Sequence, residues 1–157
     1  MSTLNEKTDG ILNDLIQINN DRVEGYTKAI KESEKDATEL VGTFERMIDQ
    51  SRKCADDLKN MVQQNGGTVA TGTTASGKVY RVWMDIRHTF STDDKQHVLD
   101  LCEFGEDAAQ KAYKMALEDD DLTADARALV SSQKAELKNS HDLIRNWRDR
   151  IKEMAHH

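Results

Sequence analysis

The sequence contains no proline and only 8 glycines in 157 residues. These two residue types interrupt helices most strongly, so a chain that nearly lacks them has little to end a long helix early. Alanine, leucine, lysine, glutamate, glutamine and aspartate are abundant instead. The composition therefore predicts an all-α fold.

Long apolar runs are also missing from the chain. No stretch approaches the roughly 20 apolar residues that span a membrane. Residues 1–7 have neither the basic region nor the apolar core of an export signal. The two cysteines, Cys54 and Cys102, form no Cys-x-x-C motif and are too few for a disulfide framework. We therefore expect a cytoplasmic protein that does not bind membranes.

The charge of the chain points the same way. The formal net charge is -7, whereas proteins that bind nucleic acids present clustered lysines and arginines to the phosphates. We therefore expect no nucleic-acid partner. The last two residues, His156 and His157, are either native or the remnant of a purification tag, and we assign them no function.

Apolar residues recur at spacings of three and four along four segments, which is typical of amphipathic helices. The pattern predicts helix A from the N-cap Asp9 to about residue 34, and helices B, C and D at about residues 36–65, 93–118 and 123–155. Together they predict one domain over residues 1–157, with its core at about 9–155. Between helices B and C, we predict an exposed crossover loop at about residues 66–78 and then a short helix marked by Val79, Trp83, Ile86 and Phe90.

The lengths of these segments also predict a topology. Helices of about 26 to 30 residues are roughly 40 Å long and favour near-parallel packing. Short turns make A and B, and also C and D, antiparallel hairpins, while the long crossover allows B and C to run parallel, as in ferritin-like bundles. Residues 22–30 align weakly with residues 109–117, which places Tyr26 over Tyr113 and suggests two related hairpins.

Several segments resemble an uncharacterised bacterial family of ferritin-like four-helix bundles, a domain of unknown function. They are Asn13-Asp14-Leu15-Ile16-Gln17-Ile18-Asn19-Asn20-Asp21-Arg22-Val23-Glu24-Gly25-Tyr26, Gln50-Ser51-Arg52, Arg81-Val82-Trp83-Met84-Asp85 and Cys102-Glu103-Phe104-Gly105-Glu106-Asp107-Ala108-Ala109. The resemblance covers roughly residues 9–150. It implies a fold and no particular activity.

The ferritin-like fold invites a search for a di-metal site in the core. In metal-binding relatives, glutamates on helices A and C precede a tyrosine by seven residues, which here corresponds to Asn19 and Glu106. Asn19 is a neutral amide, and no predicted helix contains the Glu-x-x-His motif of such sites. What remains is a predicted layer of neutral polar core residues that fixes the register of the helices: Asn19, Ser51, Gln133 and Ser140.

A shifted metal site is the remaining alternative. Glu106, with Glu103 and His141, would be the ligands for iron, manganese or zinc, but helical phase places Glu103 well away from the core and His141 at its edge. We therefore interpret Glu103 and His141 as ion-paired surface residues and expect no cofactor. The short crossover helix either docks on the bundle or presents Trp83, Ile86 and Phe90 to a partner.

We accordingly predict a non-catalytic ferritin-like bundle that acts as a bacterial stress-associated structural or interaction protein and forms a homo-oligomer. The alternative is a divergent carboxylate metal-binding protein with redox or metal-handling activity.

Overall fold

The structure, a computed structural model, describes residues 3–33, 38–70 and 95–155. These residues form four helices and no strand: α1 (Leu4–Ser33), α2 (Thr38–Gln64), α3 (Lys95–Glu118) and α4 (Ala124–Ala155). The described residues agree with the predicted all-α class. None of the four helices is apolar enough along its length to cross a membrane. The predicted crossover helix, with Trp83, Ile86 and Phe90, lies outside the described residues.

The first helix begins earlier than the sequence predicted. Asp9 is not its N-cap: α1 starts at Leu4, and the hydroxyl of Thr3 accepts a hydrogen bond from the backbone N–H of Glu6 (3.1 Å). Thr3 and Glu6 have the spacing of a capping box, which satisfies the free N–H groups of the first turn. Asp9 is buried instead, and its carboxylate accepts a hydrogen bond from the Asn65 side chain (2.9 Å).

Contacts along the helices give the directions in which they run. Asp9, near the start of α1, meets Asn65, just after the end of α2, so these two helices are antiparallel. The same holds for α3 and α4, because Arg127 in the first turn of α4 donates to the backbone carbonyl of Asp119, which follows α3 (2.9 Å). Farther along the pair, Gln110 reaches the carbonyl of Lys134 (3.1 Å).

The two pairs of helices are joined by contacts between α1 and α3 and between α2 and α4. Thr8 donates to the carbonyl of Asp121 (2.8 Å), which places the start of α1 at the end of α3. Gln133 donates to the carbonyl of Cys54 (3.1 Å), and Gln50 donates to the carbonyl of Glu136 (3.1 Å). Since α1 is antiparallel to both α2 and α3, the helices α2 and α3 run in the same direction.

The apolar core consists of two clusters at opposite ends of the helices. On α1, residues 12–18 belong to the first cluster and residues 26–29 to the second. The interruption recurs on the other three helices: between Ile48 and Cys54 on α2, between Cys102 and Ala109 on α3, and between Leu137 and Ile144 on α4. The middle of the bundle is therefore filled by other residues.

A glycine ends α2 in the left-handed conformation. Gly66 has φ of 80°, its N–H donates to the carbonyl of Gln63 (3.0 Å), and the N–H of Gly67 donates to the carbonyl of Val62 (2.9 Å). These two bonds make a Schellman motif, which satisfies carbonyls at the end of the helix. Gly67 also approaches α1 closely, since a Cβ atom there would lie 2.3 Å from Asp9 Oδ2.

Gly66→Ala should lower the free energy of unfolding by about 1–2 kcal/mol, because a side chain disfavours the left-handed conformation although space is open around it. Gly42→Ala is the matched control. Gly42 lies within α2 with no positive φ and with open space for a Cβ atom, so this variant should raise stability by about 0.5–1 kcal/mol. Urea unfolding checks both variants, and shifts of the same sign would contradict this account of the cap.

Candidate functional site

A layer of polar side chains separates the two apolar clusters. Every helix contributes to it at the point where its apolar residues are interrupted. The members on the four helices are all less than a tenth exposed: Asn19, Arg22, Ser51, Glu106, Gln133 and Ser140. Buried polar groups of this kind need partners, because each unpaired group costs about 1–3 kcal/mol.

An ion pair between α1 and α3 forms the centre of this layer. The guanidinium of Arg22 lies against Glu106 Oε1, with Nε at 2.8 Å and Nη2 at 2.6 Å, and both side chains are fully buried. Arg22 Nη1 also donates to the hydroxyl of Ser51 on α2. Tyr26, one turn after Arg22, donates its hydroxyl proton to the same Glu106 oxygen (2.8 Å). The ion pair and its hydrogen bonds therefore connect three helices: α1, α2 and α3.

Electrostatics holds these groups in defined protonation states. Burial alone would lower the pKa of Arg22, but the attraction of Glu106 and the hydrogen bond to it outweigh burial, so the pKa is raised and the guanidinium stays charged. Burial, reinforced by the nearby charge of Glu106, raises the pKa of Tyr26 well above its usual value. Tyr26 is thus a permanent hydrogen-bond donor to Glu106.

A second chain of hydrogen bonds crosses the same layer. Asn19 donates to the carbonyl of Leu15 and to the hydroxyl of Tyr113, both at 2.9 Å. Tyr113 donates to Gln133 Oε1 (2.8 Å), and Gln133 donates to the Cys54 carbonyl (3.1 Å). All four helices are linked by this chain. Burial raises the pKa of Tyr113, so its hydroxyl also remains protonated.

The two tyrosines are related by an exchange of helices. Asn19 precedes Tyr26 by seven residues and contacts Tyr113 of the other hairpin. Glu106 precedes Tyr113 by seven residues and contacts Tyr26 of the first hairpin. When α1 and α3 are exchanged by a two-fold rotation, Asn19 takes the position of Glu106 and Tyr26 takes the position of Tyr113. The chemistry at the two positions differs, since one side chain is a neutral amide and the other is a carboxylate.

The four neutral residues expected in a polar core layer lie in the interior, but they do not bond to one another as one group. Asn19 and Gln133 are connected only through Tyr113. Ser51 accepts a hydrogen bond from Arg22, and Ser140 donates to Gln50 Oε1 (2.6 Å).

The candidate metal ligands fall into two separate places. Glu106 is held by Arg22 and Tyr26 in the core. Glu103 and His141 lie instead in a cluster with Asp107, in which one ligand atom of each residue lies within 4.8 Å of the others. Sequence reasoning did not include Asp107, which is one helical turn after Glu103.

The placement of Glu103 corrects the orientation that helical phase suggested. Glu103 was expected to face well away from the core, yet it is only 8% exposed. Its Oε2 contacts Arg148 and its Oε1 accepts from Arg145 Nε (3.4 Å), so two long side chains of α4 cover it. The aliphatic part of an arginine side chain can cover a neighbouring residue while its guanidinium pairs with a carboxylate. Helical phase alone does not predict this kind of burial.

Arg22 is the main residue of the candidate site that sequence reasoning missed. Arginine is rarely fully buried, so a helical pattern that contains one is normally interpreted with that residue facing water. Two signals were present nonetheless. Asn19, Arg22 and Tyr26 share one face at spacings of three and four. Glu106, the one inward carboxylate expected in the core, also required a buried cation as its partner.

We expect the charges of the ion pair to be strongly coupled. Arg22→Met leaves the Glu106 carboxylate buried without a counter-charge, and Glu106→Gln leaves the Arg22 guanidinium buried without one. Each single substitution should therefore lower the free energy of unfolding by about 3–5 kcal/mol. Because Arg22→Met/Glu106→Gln removes both charges, it should cost less than the sum of the single variants.

The exposed pair Lys138–Asp142 (4.0 Å) provides the control. Lys138→Met should change stability by less than about 1 kcal/mol. Chemical denaturation measures all of these variants, and additive costs of Arg22→Met and Glu106→Gln would exclude the coupling.

The two cysteines are free and buried. Burial raises the pKa of the Cys54 thiol from 9.0 to about 11, and burial together with the charge of Glu106 raises that of Cys102 well above its usual value. The folded chain thus holds both thiol protons more tightly than the unfolded chain does. Their contribution to stability is complete below about pH 9 and is lost as the pH rises through the folded pKa.

Stability should therefore fall between pH 9 and pH 11, the range bounded by the unfolded and folded pKa values of Cys54. Over this range, Cys54→Ala should remove about 2 kcal/mol of the fall, because each pKa unit corresponds to about 1.4 kcal/mol. Denaturant titrations of both proteins at several pH values measure the difference. Parallel curves for the wild type and the variant would show that Cys54 does not contribute.

Comparison with known proteins identifies the family of the chain. A conserved hypothetical protein, rv2844, from Mycobacterium tuberculosis has a similar structure, with a TM-score of 0.69 over 92% of this chain and 93% of that chain. The two sequences are 16% identical, so the likeness concerns the fold alone. A search of curated proteins gave no match. The profile described as Domain of unknown function (DUF2383) matches residues 7–119, and the chain belongs to that family.

Proposed function

We propose that this protein is a non-catalytic bundle of ferritin-like topology whose core is organised by an arginine rather than by a metal, and that it works as a structural or interaction protein. The observation that carries the proposal is the fully buried pair of Arg22 and Glu106. A guanidinium supplies positive charge to the one carboxylate of the layer, which is the role that a metal ion has in metal-binding bundles of this topology.

The directions of the helices support the topology. Two antiparallel pairs with α2 parallel to α3 require a long connection between the second and third helices, which is the arrangement of ferritin-like bundles. The two-fold relation between the Asn19–Tyr113 and Tyr26–Glu106 contacts supports it as well, because it relates one hairpin to the other.

The donor set of the core does not fit a di-metal centre. Such a centre uses four glutamates and two histidines, whereas the six residues of the layer provide one carboxylate, one guanidinium and four neutral side chains. The Arg22 guanidinium is bonded to Glu106 Oε1, and a cation placed beside it would be repelled. We therefore assign no redox reaction to the core.

The alternative function is a divergent carboxylate metalloprotein that uses Glu106 with Glu103 and His141. The geometry disfavours this set as one site, because Glu106 contacts Arg22 and Tyr26 while Glu103 and His141 cluster with Asp107. The charge of Arg22, which contacts Glu106 Oε1, would repel a metal ion at either oxygen of this carboxylate.

A role in interaction has support from one helix. Phe104 and Met115 on α3 are 57% and 59% exposed, and their spacing of eleven residues places them on the same stripe of the helix. The predicted partner face at Trp83, Ile86 and Phe90 lies outside the described residues, so it stays a prediction, as do the homo-oligomer, the cytoplasmic location and the association with stress.

The decisive experiment loads the purified chain with Fe(II) or Mn(II) and measures bound metal in the wild type and in Glu106→Ala. The proposal predicts that Glu106→Ala does not reduce the amount of bound metal. It also predicts that Fe(II) is oxidised in air at the same rate with the protein as in buffer alone. Both measurements are made with His156 and His157 replaced by alanine, so that imidazoles at the end of the chain do not contribute.

Glu136→Gln removes an exposed carboxylate from α4 and serves as the matched control. Stoichiometric metal that disappears in Glu106→Ala and persists in Glu136→Gln would favour the metalloprotein. Metal content that is equal in all three proteins would support the arginine-organised core.

A further inference from the structure

We propose that Glu103, Asp107 and His141 form a site for a single divalent transition-metal ion, best suited to Zn²⁺, between α3 and α4 and outside the core layer. The site is independent of Glu106 and of the proposed function of the bundle. It would join the two helices of the second hairpin at one point.

The three side chains are close enough together to bind one ion. Glu103 and Asp107 are one turn apart on α3, so their carboxylates lie on the same face. His141 reaches them from α4, and one ligand atom of each residue lies within 4.8 Å of the others. Ligands of a tetrahedral Zn²⁺ are roughly 3.4 Å apart, given bonds of about 2.1 Å. His141 Nε2 and Asp107 are in hydrogen-bond contact, closer than two ligands of one ion, so Asp107 would have to withdraw slightly to admit the ion, and its side chain is 57% exposed.

The orientation of the imidazole is the second observation. His141 Nε2 faces Asp107, and Nδ1 lies 3.2 Å from Asp142 Oδ1, outside the three-residue cluster. A neutral imidazole that donates Nδ1–H to Asp142 directs the lone pair of Nε2 toward the carboxylates of α3. Metal-binding histidines are held in this way by a carboxylate on the ring nitrogen that does not bind the metal.

In the absence of an ion, a proton on Nε2 bridges His141 and Asp107, whose contact has hydrogen-bond length. A metal ion would replace that proton, and Glu103 is close enough to bind the same ion. One nitrogen and two carboxylate oxygens leave the fourth position of a tetrahedral ion open to water, as in sites with three protein ligands. Imidazole as a ligand favours Zn²⁺ over Mg²⁺ or Ca²⁺.

Two arginines oppose the metal, and this makes the site testable. Arg148 and Arg145 both contact Glu103, so they compete with an ion for its oxygens and repel its charge. Removing Arg148 should therefore strengthen metal binding. If the cluster were only a set of ion pairs, the loss of Arg148 would have no such effect.

The test is calorimetric titration of Zn²⁺ alone into the full chain, stripped with a chelator and carrying His156→Ala and His157→Ala. About one equivalent should bind. His141→Ala and Asp107→Asn should each weaken binding at least tenfold, and Asp142→Asn should weaken it roughly tenfold by releasing the ring. Arg148→Gln should tighten binding several-fold. Asp125→Asn, an exposed carboxylate at the start of α4, should leave binding unchanged.

Asp107 is exposed, so Asp107→Asn tests the site even if His141→Ala disturbs folding, and circular dichroism reports helicity for each variant. The Co²⁺-loaded protein should show the visible absorption of a tetrahedral site, which His141→Ala should abolish. The absence of saturable Zn²⁺ binding, or binding that is equal in Asp107→Asn and Asp125→Asn, would overturn the proposal.

Discussion

The contact between the guanidinium of Arg22 and the carboxylate of Glu106 determines how the middle of this bundle is built. Each charge would be very costly to bury alone, and each is acceptable only because the other is fixed 2.6 Å away with further hydrogen bonds around it. Tyr26 and Ser51 supply those bonds from α1 and α2. The rotation of three helices about their axes is thereby set by a single pair, since a small rotation of any one would strand a charge in an apolar interior.

The division of the core into two apolar clusters follows from this requirement. Apolar packing alone tolerates slippage of one helix along another, because leucine, isoleucine and valine can exchange neighbours at modest cost. Directional bonds between the clusters remove that freedom. The Asn19–Tyr113–Gln133 chain acts alongside the ion pair and links all four helices. We therefore expect the two clusters to supply most of the stability and the layer between them to favour one register of the helices.

Periodicity predicted the helices well because it reports which face is buried, and the ends of α2, α3 and α4 differ from the expected ones by at most two residues. It did not locate the start of α1, because Asp9 is a good cap in isolation and its contact with Asn65 is distant in sequence. The candidate site was harder still. Arg22 and Glu103 are buried by partners on other helices, and the pattern along one helix does not identify those partners.

The two-fold relation between α1 and α3 has a consequence for how such a core can be assembled. Arg22 aligns with Ala109, and Asn19 with Glu106, so the two halves carry different residues at equivalent positions. In two identical copies of the first hairpin each Arg22 would meet an Asn19, and in two copies of the second each Glu106 would meet an Ala109, so neither charge would have a counter-charge. A core of this kind therefore requires two hairpins of different sequence, which a single polypeptide that encodes both provides.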